Sequence, residues 1–218
     1  MDEKNEKVKV PKVREKSFVR EAMEWIICLV AAFVIAVVIK YFVFTPTLVQ
    51  QGSMTPTILN GERVLINRLV RTFKIPIYRG DIITFERPDA TNSDGRAYYN
   101  ETSGIATFVM HDLLEFTKVS YIKRVIGLAG DHVEITETGD IFVNDKKVNE
   151  TYLPDYTKTP ITGEFHDLIV PEGHIFVMGD NRNGSSDSRE FGCIPLEKVE
   201  GRVTFRIWPL NKIGKIDK

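Results

Sequence analysis

The chain has 218 residues, 43% of them hydrophobic and 27% charged, with a net charge of −1. That length can bury a real core in one or two domains, and the apolar content excludes a disordered chain. The near-neutral balance supplies no basic field for nucleic acid and no acidic solvating tail.

Residues 1–24 carry seven Lys or Arg: Lys4, Lys7, Lys9, Lys12, Arg14, Lys16 and Arg20. Residues 25–44 then run almost without charge, Lys40 excepted. A helix of about twenty residues rises about 30 Å, the thickness of a hydrocarbon core. Lys40 and the aromatic residues Tyr41, Phe42 and Phe44 suit the interfacial end of such a span. A buried core helix is the alternative. A cleaved leader would have a shorter apolar region followed by small residues, which Phe44-Thr45-Pro46-Thr47 does not offer. The expectation is an uncleaved signal-anchor, a single pass through a cell membrane. The excess of Lys and Arg before it places residues 1–24 in the cytoplasm and 45–218 outside. Cys28 in the span and Cys193 in the outer part cannot pair with each other.

Beyond the span, short apolar or alternating runs lie between turn signals at 63–67, 81–85, 121–126, 132–136, 141–144, 174–178 and 202–208. Their spacing predicts a mainly β domain, without a second long helix. Residues 88–101 read as a polar loop, and 137–172 as a smaller inserted β subdomain. How 88–120 packs is not readable from the sequence.

Three stretches carry chemistry. Gln50 to Ile58 reads Q-Q-G-S-M-T-P-T-I, a turn around Ser53 that Pro56 keeps out of helix or strand. Lys123 lies mid-strand, and strand alternation puts Lys123 and Arg124 on opposite faces, each between apolar neighbours. Either this is an edge strand with both charges in water, or Lys123 is buried and loses its proton. In the second case the amine can act as a general base toward a serine, after a downward shift of roughly three pKa units. The third stretch, Gly179 to Arg189, contains eleven residues and no apolar side chain. Calcium is disfavoured there by Arg182 and Arg189 among the carboxylates. Zinc spacings, phosphate-binding glycine loops and the G-x-S-x-G elbow are absent from the sequence.

These stretches, in this order behind one apolar span, resemble the bacterial type I signal peptidases, or leader peptidases. The resemblance covers nearly the whole chain: Gly52-Ser-Met-Thr-Pro-Thr57, Arg79-Gly-Asp-Ile-Ile83, Lys123-Arg-Val-Ile-Gly-Leu-Ala-Gly-Asp131, the Gly179 to Gly192 loop, and Trp208-Pro209. It implies a Ser-Lys serine endopeptidase that uses no metal or cofactor. Its partners would be secretory preproteins, cut after small residues in an A-x-A-like pattern, and the lipid bilayer. By that resemblance Ser53 is the nucleophile and Lys123 the general base. Ser185 would orient the lysine amine by a hydrogen bond. Asp187 and Arg189 would pair in support of the site, with Asp180 and Arg124 as further supporting residues. The Ser53 N–H would be one oxyanion donor. Gln51 stands where some members carry a serine that helps fill the oxyanion hole, and its amide is the candidate second donor. Ala129 stands where the family usually has proline. Leu48, Val49 and Met54 would rest on lipid or line the substrate groove.

Two rival readings stay open. A membrane-anchored β domain of the same fold could hold exported subunits such as pilins without cutting them. Alternatively, His132 or His174 could replace the lysine as base.

Overall fold

A computed structural model describes residues 18–91, 95–99 and 119–216. Most of the basic tail and most of the segment 88–120 therefore lie outside the described residues. The apolar run forms one helix, Phe18–Phe42, in which neither glycine nor proline interrupts the backbone ladder and no residue is buried. A helix apolar all round belongs in a membrane or a core. This one is long and apolar enough to cross a bilayer.

The helix stops at Phe42 because its last carbonyls find other donors. Thr45 Oγ1 donates to the Lys40 carbonyl at 2.8 Å, Arg71 Nη2 to that of Tyr41 at 3.0 Å, and Thr72 Oγ1 to that of Phe42 at 2.9 Å. Arg71 and Thr72 come from a single helical turn, Leu69–Thr72. Such orphan carbonyls must be satisfied somewhere when a helix ends. Phe44, expected at the end of the span, instead opens the first strand.

The strands in chain order are β1 Phe44–Leu48, β2 Arg63–Asn67, β3 Ile82–Glu86, β4 Ala90–Thr91, β5 Ala97–Tyr98, β6 Ser120–Leu128, β7 His132–Ile135 and β8 Ile141–Val143. There follow β9 Lys146–Lys147, β10 Asp167–Ile169, β11 His174–Met178, β12 Ile194–Pro195, β13 Val199–Trp208 and β14 Gly214–Lys215. The main sheet has the order β1-β2-β13-β3-β6-β11-β12, with β14 added to β13. All the named pairings in it are antiparallel. The fold is mainly β, as the turn spacing predicts. A second sheet, β10-β7-β8-β9, takes in 132–135 as well as part of the stretch read as an insertion.

β1 occupies an end of the strand order, the place where Pro46 costs no ladder hydrogen bond. β6 lies inside the sheet, with Lys123 opposite Ile83 of β3 and Arg124 opposite Met178 of β11. The edge-strand reading of Lys123 is thus overturned: the side chains are 1% and 0% exposed. Three apolar clusters support the sheets. One joins β3, β6 and β11 through Ile83, Phe85, Val125 and Val177. A second fills the space over β7 and β8. The third joins Val49, Met54 and Ile58 to Val64, Ile82 and Val203, and so seats the turn that carries Ser53.

Candidate active site

The turn 52–58 is fastened from both ends. Inside it, the Ile58 N–H donates to the Met54 carbonyl at 2.9 Å, and the buried side chains of Met54 and Ile58 anchor it to the core. Met54 is 1% exposed, which of its two expected roles disfavours resting on lipid. Its side chain is held in the core, as is that of Val49, and both line the cleft described below.

Ser53 Oγ lies 3.0 Å from Lys123 Nζ, bridging 70 residues of sequence. Among the described residues the other hydrogen bond of that amine goes to the Ile122 carbonyl, at 3.2 Å. Burial lowers its pKa from 10.5 to about 8; the charge of Asp187 opposes the shift and that of Arg189 adds to it. The opposition is muted because Arg189 occupies both Asp187 oxygens, Nε to Oδ1 at 2.8 Å and Nη2 to Oδ2 at 2.9 Å. An amine in a dry site with its nearest carboxylate already neutralised loses its proton more easily. When it is neutral, the serine hydroxyl donates and the nitrogen accepts, the arrangement a general base requires. Tyr121, two residues along the same face of β6, places its ring 4.9 Å from Nζ.

The polar loop after β11 is a buried scaffold. Asp187 also accepts the Gly179 N–H at 3.0 Å and its own second-neighbour N–H, that of Arg189, at 3.3 Å. It thereby starts the helical turn Ser188–Phe191. Arg189 reaches on to the carbonyls of Pro160 and Ser185, at 3.1 and 3.3 Å. Arg124 makes a two-pronged contact with Asp180, at 2.9 and 2.8 Å, and its third nitrogen donates to the Gly80 carbonyl. Asp180 in turn accepts the Thr57 hydroxyl at 2.5 Å, tying the loop to the serine turn. In these two pairs, Arg124–Asp180 and Arg189–Asp187, each buried charge has a partner of opposite sign, which is the condition for tolerating it.

Ser185 is buried, but its Oγ makes no hydrogen bond among the described residues. The expected bond to Lys123 is therefore not formed. The hydroxyl sits instead against Gly179, where an added Cβ would fall 2.2 Å from it and 2.5 Å from the Ser53 carbonyl oxygen. Gln51 is exposed and borders the cleft beside Ser53.

The sequence reading missed several supports. Arg182, fully buried, donates to the Gly179 carbonyl at 3.0 Å, to Thr159 at 2.7 Å, and through both terminal nitrogens to Glu150. Tyr152 donates to Glu150 and lies under the Arg124 guanidinium, 3.7 Å from ring centre to carbon. The 150–160 segment is thus part of the site's foundation. Its composition, rich in Thr, Pro and Asp, gave only a loop signal. Ser188 Oγ accepts the Val177 N–H at 2.9 Å, ending β11 at the loop. Neither rival base joins the centre: His132 meets Asp167 at 2.7 Å on the second sheet, and His174 contacts the Glu172 carbonyl.

A cleft of about 510 Å³ opens beside Ser53. One wall is β1 and the turn after it, from Pro46 to Gln51; the other is the start of β6, with Tyr121 and Ile122. β1 and β6 stand far apart in the strand order yet face one cleft, so the sheet curls back on itself. Two extended segments with a gap between them suit a peptide bound as an added strand.

Comparison with known proteins gives a consistent result. Residues 22–208 match the family described as signal peptidase, peptidase S26. A signal peptidase I of Bacillus licheniformis is 36% identical over 201 residues, covering 89% of this chain and 92% of that one. A signal peptidase IB of Staphylococcus aureus is 34% identical over 207 residues, covering 88% and 93%. A crystal structure of a signal peptidase I from Enterococcus faecalis, 29% identical, aligns with 59% of this chain and 97% of that one at a TM-score of 0.41.

Proposed function

Because the chain belongs to the signal peptidase family S26, a family of serine endopeptidases that remove signal peptides, we propose that Ser53 and Lys123 perform its chemistry as nucleophile and general base. The observation that carries this reading is the 3.0 Å contact between Ser53 Oγ and Lys123 Nζ, at an amine lowered to about 8 by burial.

In the first step Lys123 Nζ takes the hydroxyl proton as Ser53 Oγ bonds to the scissile carbonyl carbon. The electron pair displaced onto oxygen is met by the Ser53 N–H. Collapse gives an acyl-enzyme and releases the mature chain, whose new amino group takes the proton from the lysine. A water, deprotonated by the same amine, then frees the signal peptide. Asp187 and Arg189 keep Lys123 without a carboxylate counter-ion. Asp180 and Arg124 hold the serine turn through Thr57. Substrates are preproteins lying extended in the cleft and cut after small residues. The apolar helix anchors the protein in a membrane, and the basic residues before it favour an N-terminus in the cytoplasm with the β body outside.

The test is cleavage of a preprotein with an A-x-A site, with sequencing of the new N-terminus. Wild type cuts after the small residue, while Ser53→Ala and Lys123→Ala lose cleavage by about 10³-fold or more, since each removes a member of an interdependent pair. Undiminished cleavage by either variant would sink the dyad. A wild type that binds the preprotein but leaves it whole would favour the holding role.

A further inference from the structure

We propose that Asn181 is a positioning residue for the oxyanion hole, a role that rests on Ser53 being the nucleophile. Asn181 makes two hydrogen bonds to consecutive carbonyls of the serine turn. Its side-chain Nδ2 donates to the Gly52 oxygen at 3.1 Å, and its backbone N–H donates to the Ser53 oxygen at 3.0 Å. These two oxygens belong to the peptide units on either side of the Ser53 α-carbon.

The Gly52 contact matters most, because the Gly52 carbonyl and the Ser53 N–H are two ends of one planar peptide. In a trans peptide the N–H points opposite to the C=O. A donor that pins the oxygen therefore aims the N–H, here away from Asn181. Gly52 has no side chain to hold that plane, and an added Cβ would meet only Thr55 Oγ1, at 3.6 Å. Two donors grip its oxygen: the Thr55 N–H at 3.2 Å, from within the turn itself, and Asn181 Nδ2, which ties it to the neighbouring loop. Hydrogen bonding at the oxygen also polarises the unit and strengthens the N–H as a donor.

Asn181 is itself held. Its main-chain carbonyl accepts the Gly184 N–H at 3.0 Å, and its side-chain amide packs beside Gly184. A Cβ on Gly184 would stand 2.8 Å from Nδ2 and 3.2 Å from both Cγ and Oδ1. Asn181 follows Asp180, whose carboxylate is fixed by Arg124 and Thr57. The donor that aims the peptide thus stands on a rigid base.

During acylation the scissile carbon gains a bond to Ser53 Oγ, its π pair moves to oxygen, and the hydroxyl proton passes to Lys123. A misaimed N–H meets that oxygen poorly while leaving the ground-state peptide bound. Substitution should therefore change turnover and not substrate affinity.

The experiment compares Asn181→Ala and Asn181→Asp with wild type on a cleavable signal-peptide substrate. A peptide aldehyde of the same sequence, which forms a tetrahedral adduct with the serine, serves as a second probe. The backbone bond to Ser53 survives both substitutions. Loss of a whole oxyanion donor costs about 10²–10³ in turnover, so loss of its aim alone should cost about tenfold in kcat for Asn181→Ala. Asn181→Asp, which sets a carboxylate oxygen against the Gly52 oxygen, should lose about 10²-fold. KM should stay within about twofold, and the aldehyde should bind more weakly by the factor lost from kcat. Unchanged kcat in both variants, a change confined to KM, or unweakened aldehyde inhibition would each overturn the proposal. Ser53→Ala separates the two levels of the reading. If it is inert while Asn181→Ala is fully active, only the role of Asn181 falls. If Ser53→Ala cuts normally, the nucleophile assignment and this proposal fall together.

Discussion

At the scale of single residues, the proposed dyad ties both activity and stability to the proton on Lys123. With a pKa of about 8, the amine is neutral in a minority of molecules at neutral pH. Turnover under limiting substrate should rise about tenfold per unit up to that value and level off above it, as for any required base. A profile flat between pH 6 and about 9 would remove Lys123 from the base role. Stability moves with the same proton. Below about 8 both folded and unfolded chains hold it, and the folded state bears the full cost of a buried charge. Between about 8 and 10.5 only the unfolded chain holds it, so stability from this group rises with pH. Lys123→Met should consequently be more stable than wild type at neutral pH, by about 3 kcal/mol, with the gap closing toward pH 10.5. Denaturant unfolding at both ends of that range measures it. Gly179 is constrained by space. Gly179→Ala drives a methyl into the Ser53 carbonyl and the Ser185 side chain. It should cost about 1–3 kcal/mol of stability. It should also cost about 10²-fold in turnover by displacing the serine, to be read from kcat beside a melting curve.

The site's chemistry was legible at this scale because serine, lysine and a run of charged residues are conspicuous in an apolar β sequence. Its wiring was not. The Thr57–Asp180 bond spans 123 residues, and the Arg182–Glu150 pair joins segments with no shared pattern. Nothing local in Glu150, Tyr152 or Asn181 distinguishes it from a surface polar residue. The bond from Ser185 to the lysine, implied by resemblance, is replaced in the structure by packing against Gly179.

At the scale of elements, alternation located β2, whose faces differ, and an apolar run between turn signals located β11, buried on both faces; both fall on the predicted spans. β1 escaped because Phe-Thr-Pro-Thr-Leu mixes a strand breaker with the tail of an apolar run, and only its edge position makes the proline harmless. Burial of β6 could not be read either, since Lys123 and Arg124 look solvent-bound until partners from the loop after β11 are in place. That loop should behave as a unit. Asp187→Ala leaves the Arg189 guanidinium buried without its carboxylate, which should destabilise the protein by about 3–5 kcal/mol. Replacing both members by apolar residues of similar size should recover much of this. A double variant as unstable as the single one would show that the pair's geometry, and not its unpaired charge, sets the cost.

At the scale of the whole molecule, the apolar helix predicts how the protein partitions. It should stay with the membrane through alkaline or high-salt washing and be released by detergent. Release by salt alone would mean that Phe18–Phe42 does not cross the bilayer. In intact cells, added protease should reach the β body from outside once the outer barrier is opened. Protection of that body would reverse the proposed orientation.

The long reach of the Ser53–Lys123 contact has a consequence for biogenesis. A chain emerging N-terminus first carries its serine well before its lysine, and the loop that braces both arrives later still. Until that loop closes, the lysine should stay wetted and protonated and the serine should behave as an ordinary alcohol. On the proposed dyad, half-made protein should therefore be harmless to the polypeptides around it.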